Sequence, residues 1–118
     1  MSSFRSKIRR RMERYLELDT DGIRYAVMKT ILKVREVTVD YLYDLLSKKF
    51  DITHKTVASM VGYIHSKLGI MHAHKQSYKT HIVYTLRDEY VDLVQAVLRR
   101  SVDASRQTAA TATSAVAA

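Results

Sequence analysis

Residues 51–69 read DITHKTVASMVGYIHSKLG, and this stretch decides the fold. Thr53 is a good N-cap, because its hydroxyl can accept from the unpaired amides of the first turn, and Gly69 suits a left-handed C-terminal stop. Between them Val57, Val61, Ile64 and Leu68 recur at offsets of four, three and four, one apolar stripe of a helix. The other side carries Lys55, Ser59, Gly62 or Tyr63, and Ser66: small, polar and basic, without an acid. A helix with an apolar back and a short-chained basic front suits the major groove of DNA, and it also suits an ordinary solvated surface. The neighbouring segments separate the two.

Upstream, the periodicity predicts helices over Phe4–Leu18 (stripe Ile8, Met12, Tyr15, Leu16), Asp21–Val34 (Ile23, Val27, Ile31, Val34) and Val39–Phe50 (Leu42, Leu45, Leu46, Phe50). Asp19-Thr20-Asp21-Gly22 is a turn, Val37–Val39 is short extended or capping chain, and Thr38 caps the third helix. Only Asp51 and Ile52 then separate that helix from Thr53, the spacing of a helix-turn-helix. Downstream of Gly69 the period falls to two. Ile70–Lys75 and Thr80–Leu86 read as a hairpin, and setting Lys75 opposite Thr80 puts Met71, Ala73, Ile82, Tyr84 and Leu86 on one face. His72, His74, His81 and Thr85 share the other. Asp88 caps a last helix to about Arg100, with Tyr90, Val91, Val94, Val97 and Leu98 as its stripe. The expected fold is mainly α with a small β-hairpin, a winged helix: residues 53–68 as recognition helix, 70–86 as wing. The domain is expected over residues 1–100. The remainder, 101–118, is too rich in Ala, Thr and Ser to bury a core and is expected to be a disordered tail.

Composition narrows the function. The 118 residues carry a net charge of +8, with a pI of about 9.8 and no cysteine. Positive potential of that size favours polyanions, and the absence of thiols and of any long apolar run is in keeping with a soluble, cytoplasmic protein. The charge is segregated. No acid lies in the 36 residues between Asp51 and Asp88, which hold Lys55, Lys67, Lys75, Lys79, Arg87 and all five histidines. The first helix is basic too, with Arg5, Lys7, Arg9, Arg10, Arg11 and Arg14 against Glu13 and Glu17.

Double-stranded DNA is the expected partner. His54, Lys55, Thr56 and Ser59 are the candidate base readers, with Tyr63, Ser66 and Lys67 further along the helix; Lys75, Gln76, Ser77, Tyr78 and Lys79 form the wing contact. Without arginine or asparagine on its front, the helix is built for docking more than for stringent reading. Three glycines provide no phosphate loop, and no nucleophile–base pair stands out, so an enzyme is not expected. No cofactor is expected. His72, His74 and His81 are the low-probability metal candidates. Gly62 is expected to mark close packing of the preceding helix or approach of a phosphate. The first and last helices, if their stripes exceed what a small core absorbs, would pair two subunits as a homodimer. The alternative function is a protein-interaction module without nucleic-acid binding.

The run VASMVGYIHSKLGIMHAHKQSYKTHIVYTL, with DGIRYAV and YLYDLLSKKFDIT before it, resembles an uncharacterised family of small winged-helix proteins from methanogenic archaea. The resemblance covers about residues 5–98. It implies the fold and an archaeal source, and it carries over no site residues.

Overall fold

Helix α1 spans Phe4–Glu17 in a computed structural model that describes residues 3–75, 77 and 81–101. Its buried residues are Ile8, Met12, Tyr15 and Leu16, the stripe read from the sequence. Helix α2 runs Ile23–Val34, two residues later than expected. Asp19 causes the delay: its carboxylate accepts the N–H groups of Gly22, Arg24 and Tyr25, so the first turn cannot begin until the chain has passed Gly22 in the left-handed region. The C-cap of α2 is Arg35, at a φ of 70° that L-residues rarely adopt.

Strand β1 is the two residues Glu36–Val37, followed by Thr38, whose hydroxyl caps helix α3 at Val39–Leu46. The expected continuation of α3 to Phe50 does not occur. The chain turns at Leu46, whose carbonyl accepts from Lys49 and Phe50, and this reversal drops Ile52 into the core before Thr53. Six residues, 47–52, therefore separate α3 from Thr53 where two were expected. Leu45, expected inside, is 39% exposed as a result.

Helix α4 is His54–Tyr63, with Thr53 accepting from the Thr56 N–H as predicted. Its last turn, Ile64–Leu68, widens into a π-turn that stops at left-handed Gly69. Among the described residues a Cβ at Gly62 would meet no atom within 4 Å beyond its own helix backbone and chain neighbours, so the expected close helix contact is absent.

Strands β2 (Met71–His74) and β3 (Val83–Leu86) are shorter than read from the sequence, and their register is slipped by two. Met71 faces Leu86 and His74 faces Val83, so His81 does not pair with His74. An even slip keeps each side chain on its face, which is why the predicted sorting survives the wrong partners. Beyond the hairpin, β3 also pairs with β1 (Val37 with Tyr84), making a three-stranded antiparallel sheet in the order β1-β3-β2. Ile82, expected inside, is exposed, while Ile70 is fully buried just ahead of β2. Asp88–Tyr90 forms a 3-10 turn, and helix α5 covers residues 91–101.

The described residues thus form five α-helices and one small sheet around a single core from Ile8 to Leu98. Tyr90, Leu93, Val94, Val97 and Leu98 are buried in it beside the α1 stripe, and Arg5 ties α1 to Asp92 of α5 at 3.0 Å. The core takes up both terminal stripes, while Phe4 and Leu18 at the two ends of α1 stay exposed. The segment 102–118, expected to be a tail, lies outside the described residues. No helix among the described residues is long and apolar enough to cross a membrane.

Candidate nucleic-acid interface

The exposed front of α4 is built by its stripe. Burying Val57 and Val61 turns Lys55, Thr56, Ser59 and Tyr63 outward, with Ser66 and Lys67 continuing the exposed surface along the π-turn. Lys75 and Ser77 are exposed past the end of β2. Gln76, Tyr78 and Lys79 lie outside the described residues. The front is thus a row of short side chains and lysines on one helix that carries no acid of its own.

Two different flanks border it. On one side the C-terminus of α1 and the α1–α2 turn close against α4. Tyr15 stacks on Tyr63 with ring centroids 5.3 Å apart, and the Arg24 guanidinium lies 4.5 Å over the Tyr15 ring. Between them is a cleft of ≈ 540 Å³ bordered by Leu18, Asp19, Asp21, Ile23, Arg24, Thr56, Ser59 and Met60 as well as the two tyrosines. Its charged groups already have protein partners: Asp19 caps α2, Asp21 accepts from the Ile23 N–H, and Arg24 donates to the Tyr15 carbonyl. The Tyr15 hydroxyl is buried without a hydrogen-bond partner among the described residues, and burial pushes its pKa up to about 12.

On the other side is an ionic cluster that sequence spacing does not reveal. Asp40, in the first turn of α3, receives a 2.6 Å hydrogen bond from His54 Nε2 on one oxygen, and His81 Nε2 lies 3.3 Å from the other. The His54 ring also stands edge-on to Tyr43, centroids 5.5 Å apart. The hydrogen bond from His54, helped by the charges of His81 and His54, holds the Asp40 carboxyl below its ordinary range. His54 was expected to read bases, but its Nε2 is engaged by the protein. The one sequence hint to the role of Asp40 was its place one residue into a capped helix, where a negative charge meets the helix dipole favourably.

The imidazole set His72, His74 and His81 does not converge. His74 faces Val83 and His81 turns to Asp40, and among the described residues no group of three or more His, Asp and Glu is arranged to hold a metal ion.

Comparison with known proteins names no activity. A relative from Archaeoglobus fulgidus, described as an uncharacterized protein, is 31% identical over 93 residues, covering 78% of this chain and 93% of its own. No solved structure matches. A family model matches residues 12–94, from the core of α1 into α5. The chain belongs to the family described as protein of unknown function (DUF2551).

Proposed function

We propose that this is a winged-helix DNA-binding protein, a transcription regulator or chromatin-associated factor without catalytic chemistry, that lays α4 in the major groove. The order α2-β1-α3-α4-β2-β3 supports this reading, in which the hairpin serves as wing and α1 and α5 are additions at either end. The observation that carries the reading is the exposed front of α4, where Lys55, Ser59 and Ser66 form an acid-free row beside the hairpin. The α1–α2 turn puts Asp19 and Asp21 along the opposite border. On this reading the duplex backbone runs on the hairpin side, toward Lys75, where the Asp40 carboxylate is met by His54 and His81. Phosphate contacts supply most of the energy.

A salt-titrated shift assay with duplex DNA, RNA and heparin tests this. Duplex binding should weaken steeply with salt, and Lys55→Ala should lower affinity and reduce the log–log salt slope by about 1. Unchanged duplex affinity in both Lys55→Ala and Lys79→Ala rules out this docking. A second reading, a protein-interaction module, is favoured by Tyr41 and Leu45, exposed one turn apart on α3. Weak and equal binding to all three polyanions would support it.

A further inference from the structure

We propose that Asp40 is a positioning residue that works as a proton-operated latch, fixing the chain at His81 to the α3–α4 corner when the imidazoles are charged and releasing it when they are neutral. Three elements meet at one carboxylate. Asp40 comes from the first turn of α3, His54 from the first residue of α4, and His81 from the approach to β3. Among the described residues the charged groups that act on Asp40 are these two histidines, and the Tyr43 ring stands against His54.

The two halves of the latch differ. His54 holds its oxygen at 2.6 Å and is braced by Tyr43, and a neutral imidazole can still donate through its N–H. His81 is 79% exposed and 3.3 Å away, a contact that depends on charge. Histidine changes charge between about pH 5 and 8, whereas Asp40 stays ionised across that range. His54 is therefore the standing half and His81 the switching half. Closing the latch orders the start of β3, and with it the His74–Val83 end of the hairpin.

What the latch regulates rests on the DNA-binding reading: a hairpin fixed at its His74–Val83 end loses less freedom on docking, so duplex affinity should be higher with the latch closed. The latch itself is tested apart from DNA, by amide hydrogen exchange of residues 81–86 corrected for intrinsic rates. In the unmodified protein, protection should be several-fold greater at pH 6 than at pH 8. Asp40→Asn should remove the difference. His81→Gln, whose amide donates without titrating, should leave protection alike at both pH values. The same pH dependence in Asp40→Asn, or none in the unmodified protein, overturns the proposal. If exchange behaves as expected and duplex binds at neither pH, the latch stands and the DNA-binding reading falls.

Discussion

The two flanks of α4 are built by opposite physics. Toward α1, Tyr15 is 5% exposed, stacked on Tyr63 and roofed by Arg24, and the neighbouring acid, Asp19, is spent on backbone N–H groups. Toward the hairpin, Asp40, His54 and His81 are 49%, 54% and 79% exposed and interact through charge. Dispersion and desolvation hold the first flank, and neither responds much to salt or pH. The second is screened by salt and titrates. The helix front thus lies between a fixed wall and an adjustable one.

Cutting the fixed wall should give the largest effect. Tyr15→Ala removes a buried aromatic from between Tyr63 and Arg24 and should cost about 3–5 kcal/mol in chemical denaturation. Tyr15→Phe sharpens the point: it deletes a buried hydroxyl that has no partner, so it should be neutral or stabilising by about 1 kcal/mol. A loss of stability in Tyr15→Phe would mean that the hydroxyl is satisfied in solution. Next comes Asp19→Ala, which strips three amides at the start of α2 of their acceptor and should cost about 1–2 kcal/mol.

This contrast also explains what could be read in advance. The α1 stripe, the Thr38 and Thr53 caps and the Gly69 stop are set by local spacing and hydrogen bonding within a few residues, so they were legible. The end of α3 was not, because Leu45 and Phe50 continue the helical period while the core takes Ile52 instead. The hairpin faces followed from alternation, but the stagger depends on β1, which pairs with β3 and lies some 46 residues upstream of it in Val37–Val83 terms. Asp40 and His54 are 14 residues apart and Asp40 and His81 further still. No period links them; only the packing of α3 on α4 and the return of the chain toward β3 do.

Between the flanks, Gly62 separates stability from function. Its Cβ space is empty and its backbone is helical, so Gly62→Ala should raise stability by about 1 kcal/mol. If the duplex backbone or a base edge approaches the front closely, the same methyl should weaken binding while the fold grows stronger. A gain in stability with unchanged duplex affinity would move the contact toward Lys55 and the start of the helix.

The adjustable wall should give the smallest stability effect and the one most dependent on conditions. Asp40 has its folded-state pKa lowered, by the hydrogen bond from His54 first and by the charges of His81 and His54. A carboxyl with a lowered pKa stabilises the fold above its unfolded value, about 4 for aspartate, and that contribution is lost as pH falls through the lower folded value. Removing the charge with Asp40→Asn should therefore reduce stability slightly near pH 5–6. The gap to the unmodified protein should close in acid, as Asp40 protonates, and should narrow toward pH 8, since histidine in general loses its charge between about pH 5 and 8. Denaturation at these three pH values checks it. A gap that stays constant from pH 5 to 8 would mean that His54 and His81 hold Asp40 by shape and hydrogen bonding alone, and the hairpin flank would then be as fixed as the one built on Tyr15.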